Sequence, residues 1–269
     1  MIVVSASRRI DMVGTGPEEL SRILRTELPP SQVHTLVVWT KNPGAVLADS
    51  NLLETLTCYA QLFFHVTITG MGGTRLEPFS PRMNESLSAL RSLVGLAGMP
   101  ERVRVRFDPI VHLVLPDGRQ YTNLRHFVEV AVACGLLGIP EIVTSWMECY
   151  PKVRKRLGKL GIAGDVVSEA TVKADTDFML ERCFALGRQL TGCCAPHLVS
   201  SRCIDGELFN KLHPLGLKCS AAKARGQRPL CTCSASRDIG WYTSCAHGCL
   251  YCYANPNSPG DAGEKPWPQ

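Results

Sequence analysis

Apolar residues recur along this chain in two rhythms. Short β-branched and aromatic runs alternate with longer stretches in which apolar positions fall three or four apart, the signature of repeated βα units around a parallel sheet. Six strands are predicted: IVVS at 2–5, TLVVWT at 35–40, LFFHVTIT at 62–69, VRVRF at 103–107, EIVTS at 141–145 and HLVSS at 197–201. Between them the periodicity predicts helices over PEELSRILRTEL, NLLETLTCYAQ, NESLSALRSLVGLAG and NLRHFVEVAVACG, and a longer one over 169–190. Pro17, followed by two glutamates, suits a first helical turn. The fold class expected is α/β, a partial (β/α)6 TIM-like barrel.

The residues at the strand ends are more informative than the strands. The apolar runs lead into S-A-S-R-R, W-T-K-N-P, T-I-T-G, R-F-D-P, T-S-W and S-S-R-C. In a parallel β/α barrel those ends share one face, where such folds place their chemistry. Arg8, Arg9, Lys41, Asn42, Thr67, Thr69, Arg106, Asp108 and Arg202 are therefore candidates to surround one pocket. Each of them also has a plainer reading as a strand terminator or turn residue.

After Cys203 the alternation stops, and from about Leu215 Gly, Ser, Arg and Cys dominate, a composition that builds little core unless metal or the barrel organises it. The domains expected are a barrel over 1–213, a cysteine-rich segment over 214–255 closing the barrel top, and a flexible Pro- and Gly-rich tail over 256–269.

Composition excludes several classes. Of 269 residues, 45% are hydrophobic and 20% charged, which fits a globular protein with a real core and no disorder-dominated class. The start, MIVVSASRRI, is too short in apolar residues for a signal peptide, and no run reaches membrane-spanning length, so a cytoplasmic protein with no membrane partner is expected. The net charge of +5 permits an anionic substrate without demanding one. The basic run Lys152, Arg154, Lys155, Arg156 and Lys159 reads as a solvated helix face, with nucleic-acid contact as the alternative.

Thirteen cysteines in a reducing compartment are a poor disulfide framework, and they crowd toward the end of the chain. TSCAHGCLYCYAN, at 243–255, spaces Cys245, Cys249 and Cys252 as C-x3-C-x2-C, with Tyr251 before the third. A [4Fe-4S] cluster normally takes four thiolates, so a compact set of three leaves one iron open. A structural zinc is the alternative, drawing on Cys231, Cys233, His247 and this triplet, although the usual paired C-x2-C form is absent. Cys194, Cys203, Cys231 and Cys233 would suffice for a second, fully ligated cluster. The plainer account makes Cys194 and Cys203 buried thiols and gives Cys231 and Cys233 to the same single cluster region. Cys58, Cys134 and Cys183 read as core packing, and nothing leads from Cys149 or Cys219.

The triplet with its aromatic resembles the cluster loop of radical S-adenosylmethionine enzymes, and GCLYCYAN with the segment 76–110 resembles spore photoproduct lyase and its relatives. The whole chain resembles the bacterial family called domain of unknown function 1848. SASRRIDM, WTKNP, TITG with LEP, RFDPI, RCID and QRPLCTCSASRDIGWYTSCAHGCLYCYAN carry that likeness in order.

The radical-enzyme resemblance implies S-adenosylmethionine on the open iron, reductive cleavage to a 5′-deoxyadenosyl radical, hydrogen abstraction from a substrate, and a reducing partner such as flavodoxin or ferredoxin. It implies that Tyr251 lies by the adenine. Lys41, Thr67, Thr69, Glu77 and Arg106 are then candidates to hold the ribose or methionine carboxylate, and Arg8, Arg9 and Asp108 to face the substrate. That substrate is left open among nucleic acid, small molecule and peptide. The other function class open to the sequence is a non-catalytic zinc or iron-sulfur protein that binds nucleic acid. In most such enzymes the cysteine loop follows the first strand, whereas here it comes last. The expectation is that the C-terminal segment crosses the barrel top and delivers it to the same place.

Overall fold

In the computed structural model, which describes residues 1–164, 167–256 and 265–269, a seven-stranded, all-parallel sheet carries the molecule. The strands are β1 (Ile2–Ala6), β2 (Val33–Thr40), β3 (Leu62–Thr67), β4 (Val103–Ile110), β7 (Glu141–Trp146), β8 (Gln189–Gly192) and β9 (Arg237–Asp238). The short antiparallel pair β5 (His112–Val114) and β6 (Gln120–Thr122) comes after β4, and β10 (Ser244–Cys245) pairs with β11 (Asn255–Pro256) near the C-terminus. The order β8-β7-β4-β3-β2-β1-β9 is sequential winding, open at both edges, as a TIM-like partial barrel requires.

Helices α1 (Met12–Thr15), α2 (Pro17–Glu27), α3 (Pro43–Ala48), α4 (Ser50–Thr57), α5 (Met83–Ala97), α6 (Phe127–Leu136), α7 (Pro151–Gly158), α8 (Glu169–Ala185) and α9 (Gly206–Leu212) fill the connections. Pro17 opens α2, with Glu18 and Glu19 in its first turn, and Asp49 and Ser168 cap α4 and α8. Gly98, left-handed at φ 85°, ends α5.

Because strand side chains alternate, each strand feeds two cores. Val4, Ala6, Leu36, Val38, Phe64, Val66, Val105 and Ile142 face the helices and pack with Leu20, Leu24, Leu56, Leu90 and Met179. The alternate residues Val3, Val37 and Phe63 face inward and pack with Ile204, Phe209, Cys203 and Cys233. The inner face is unusually polar for a barrel interior. Trp39 stacks on His65 with ring centroids 4.0 Å apart, and Arg104 pairs with Glu141 at 2.5 Å.

Chain from beyond the sixth strand covers that face: His65 Nε2 bonds the carbonyl of Cys203, Arg104 donates to the carbonyl of Arg202, and Gln61 donates to the carbonyl of Phe209. The C-terminal segment then returns beside β1, with Val4 opposite Arg237 and Ser5 opposite Asp238, adding a seventh strand to the expected six.

The sixth strand needs correction. It is QLTG, the β8 residues, while HLVSS is irregular and makes one bridge, Ser200 to Gly192. The left-handed Gly187 ends the α8 region and sends the next extended residues straight to β7, so that Gln189 pairs with Glu141. By 197–201 the chain has passed the edge of the sheet, and Val199 is exposed. The last described residues are docked: Arg75 donates to the carbonyl of Lys265 and lies over the Trp267 ring, while 257–264, within the expected tail, lie outside the described residues. No helix among the described residues is long and apolar enough to cross a membrane.

Candidate functional site

The C-x3-C-x2-C loop sits over the C-terminal ends of β1, β2 and β3, held by a contact to each. After β1, Asp11 caps α1 by accepting from Gly14 N and also accepts from His247 Nε2 at 2.6 Å. Thr15 accepts from Ala246 N at 3.1 Å, and its hydroxyl lies 3.8 Å from Cys245 Sγ. After β2, Lys41 Nζ reaches both Glu77 Oε1, at 2.9 Å, and Tyr251 Oη, at 3.0 Å. After β3, Leu76 and Phe79 bond the loop backbone at Leu250 and His247. From α7, Arg156 donates to the carbonyls of Leu250 and Cys252. The left-handed Gly248, φ 65°, lets the loop turn against Phe79, which would meet a Cβ at 3.0 Å.

One buried network locks the loop down. Glu77 Oε1 accepts from Lys41 Nζ, from Thr69 Oγ1 at 2.5 Å, and from Tyr251 Oη. Burial pushes the Glu77 carboxyl up, yet the Lys41 ammonium and the hydroxyls of Thr69 and Tyr251 outweigh it and hold the group below the usual carboxylate range. Burial pulls Lys41 down, and the charges of Glu77 and Cys249 more than restore it. Asp11 obeys the same logic: burial raises it and His247 lowers it further. Burial and the neighbouring Glu77 charge push the Tyr251 phenol well up, so it stays a donor.

The donor set fits a cubane. Cys245, Cys249 and Cys252 are free thiols within electrostatic reach of one another. Three thiolates at this spacing would each take one iron of a cubane, and among the described residues no group of three or more His, Cys, Asp or Glu side chains is gathered to hold a metal ion. Ala254 N donates to Cys252 Sγ at 3.3 Å, and the Thr15 hydroxyl approaches Cys245, so protein donors face two of the three sulfurs, as they would face thiolates. His247 Nδ1 is buried with no hydrogen-bond partner, while its Nε2 is fixed by Asp11.

Of the residues expected around a cofactor, Lys41, Thr67, Thr69 and Glu77 line one small cavity, with Tyr251 bonded to Glu77 beside it. Arg106 is not among them. It pairs with Asp108 and donates to Cys203 Sγ at 3.1 Å. Asp108 is held by Arg106 and by the Ser145 hydroxyl. Arg8 and Arg9 pair with Asp238 of β9, and Arg9 also donates to the carbonyl of Gly240. Asn42 caps α3, and Arg202 pairs with Glu207 on the surface.

Cys203 and Cys233 share one buried cluster, and Cys193, not its neighbour Cys194 named from the sequence, packs against it. Sequence reasoning also misses Asp11, Thr15, His247 as an anchor, and Arg156, which the basic run 152–159 hides among solvated neighbours. Only SASRRID and the helix after it hint at Asp11, as the acidic residue at a strand end.

A parallel α/β sheet with a cysteine loop bound across the ends of its first three strands defines the class. The chain belongs to the family described as Domain of unknown function (DUF1848), whose model matches residues 4–254. Comparison with curated proteins finds no match. Among solved structures it is similar to SuiB of Streptococcus suis in three crystal structures, each at a TM-score of 0.37. With S-adenosylmethionine bound, identity is 11%, covering 79% of this chain and 54% of that one. For SuiB described without a ligand, identity is 10%, over 81% and 53%. With the precursor peptide SuiA, identity is 12%, over 85% and 63%. The chain thus spans little more than half the length of the first two SuiB chains.

Proposed function

We propose that this protein is a radical S-adenosylmethionine enzyme in which Cys245, Cys249 and Cys252 hold three irons of a [4Fe-4S] cluster. The observation that carries the reading is the seating of this triplet on the loop ends of β1, β2 and β3 through Asp11, Lys41 and Glu77. When bound, the cluster with S-adenosylmethionine on its open iron supplies a one-electron cleavage that yields a 5′-deoxyadenosyl radical able to take hydrogen from a substrate. The protein's part is positioning. Asp11 fixes the His247 ring, Thr15 and Ala254 direct hydrogen bonds at Cys245 and Cys252, and Arg156 ties two loop carbonyls to α7. Lys41, Thr67 and Thr69 line the adjoining small cavity, and a carboxylate or a ribose would be recognised there by charge-assisted hydrogen bonds once Lys41 and Thr69 exchange Glu77 for it. Electrons come from a one-electron donor of the flavodoxin or ferredoxin kind.

The test is 5′-deoxyadenosine formation by anaerobic, reduced, iron-replete protein given S-adenosylmethionine alone. Slow release is expected in the wild type and none in Cys249→Ala. Reduced, cluster-replete wild type that neither binds S-adenosylmethionine nor releases 5′-deoxyadenosine overturns the reading.

A further inference from the structure

A second group of cysteines lies away from the 245–252 loop, at the ends of β4, β7 and β8. Cys193 and Cys194 leave the end of β8, Cys203 lies on the inner face, and Cys231 and Cys233 arrive from the irregular segment before β9. Cys203 and Cys233 are only 3% and 4% exposed. Cys203 and Cys233 belong to one buried apolar group, and Cys193 and Cys231 pack against it. None of the five is in a disulfide.

Two arginines are directed at the sulfurs. Arg106 Nη1 lies 3.1 Å from Cys203 Sγ, and Arg228 Nη2 lies 3.5 Å from Cys193 Sγ. Arg106 is buried, laid over the Trp39 ring at 5.4 Å, and its other amino group is taken by Asp108. A neutral thiol is a poor acceptor and behaves as a small hydrophobe. Asp108 answers the Arg106 charge on one side, and a thiolate or cluster sulfur would answer the Nη1 donor on the other better than a neutral thiol does. Cys194 has a left-handed backbone, φ 57°, a conformation that non-glycine residues hold only where the surroundings impose it. Unlike Cys193, it is not among the residues packed on the buried apolar group.

We propose that Cys193, Cys203, Cys231 and Cys233 ligate a second iron-sulfur cluster, with Arg106 and Arg228 hydrogen-bonded to its sulfurs. Four protein thiolates saturate a cubane, so this centre has no open iron and carries electrons. The proposal does not depend on what the 245–252 cluster does chemically.

The test uses full-length protein loaded without oxygen with ferrous iron and sulfide. Cys245→Ala/Cys249→Ala/Cys252→Ala is expected to keep half of the wild-type iron and labile sulfide, about four irons per chain. Its reduced EPR signal should not respond to S-adenosylmethionine. Cys203→Ala/Cys233→Ala should lose the other half. Arg106→Leu should keep the full iron content while the signal retained in the triple background moves to lower potential, because a positive charge and a sulfur hydrogen bond are gone. A folded triple variant without iron, or holding zinc in its place, overturns the proposal. Should the triple variant not fold, equal iron in the wild type and in Cys203→Ala/Cys233→Ala overturns it instead. Failure of the catalytic reading would show separately, as a wild type that keeps both halves of its iron and ignores S-adenosylmethionine.

Discussion

Glu77 gathers Lys41, Thr69 and Tyr251 onto one buried oxygen, so the three partners can be ranked by what each removal leaves behind. Tyr251→Phe deletes the hydroxyl's hydrogen bonds to Glu77 and from Lys41 but leaves the ion pair between them, and should cost about 1.5 to 3 kcal/mol. Lys41→Met leaves a buried carboxylate without its cation and should cost more, about 3 to 5 kcal/mol. Urea unfolding of metal-free protein measures both, and a larger loss in Tyr251→Phe would mean that Lys41 is dispensable to the network. Lys41, Thr67 and Thr69 could be grouped from the sequence because strand ends share one face, whereas Glu77 lies ten residues beyond β3. Arg106 lies apart from them, on Cys203 and Asp108. VRVRF shows that Arg104 and Arg106 share a face, but their partners at Arg202 and Cys203 come from a distant stretch with no periodicity of its own.

Strands longer than four residues announced themselves, while β9, only two residues long, did not, although it fixes the path of the whole C-terminal segment. Its grip is Asp238, which accepts from the hydroxyls of Ser5 and Ser7 and from Arg8 N and Gly240 N. Gly240 is required here, because a Cβ would lie 1.8 Å from Ser7 Oγ. Burial raises the Asp238 carboxyl, but the hydrogen bonds from Arg8, Ser7, Gly240 and Ser5 prevail and hold it below its ordinary value. A depressed folded-state pKa gives stability that is complete above the unfolded value, about 3.9, and is lost as pH falls through the folded one. Asp238→Asn should therefore cost about 1 to 3 kcal/mol at neutral pH, less as the solution is acidified below about pH 4. Denaturation midpoints across about pH 2.5 to 7 check this, and an undiminished gap at the acid end would show that Asp238 is not ionised in the fold. The displaced sixth strand belongs to this scale too: HLVSS has better strand composition than QLTG, but distance from the α8 end, not propensity, decided which one reached β7.

At the scale of the molecule, two parts are stabilised by different means. Residues up to β8 close a helix-facing core of Val, Leu, Ile and Phe, and that half was readable in the alternation of apolar runs. The segment from 193 to 254 buries a handful of apolar side chains against the sheet, among them Ile204, Phe209, Leu250 and Tyr251, and among the described residues it holds nine of the thirteen cysteines. Its path was legible only as far as the spacing of one triplet. The remaining anchors, Asp11 to His247, His65 to Cys203 and Asp238 to β1, pair single residues far apart in sequence, and no local pattern encodes them. A segment held this way should open locally well before the core does. Iron that binds only the ordered form adds its binding free energy to that local equilibrium and leaves the outer helices untouched. Amide hydrogen exchange of iron-loaded against metal-free protein should then slow at least about tenfold, or about 1.4 kcal/mol, over 193–254, with α2 and α4 unchanged. In Cys245→Ala/Cys249→Ala/Cys252→Ala the gain should shrink to 193–233 and leave 244–254 exchanging at the metal-free rate. Protection spread evenly over the chain would mean instead that the cysteine segment and the barrel fold as one cooperative unit, with the cysteines no more than a late addition to its stability.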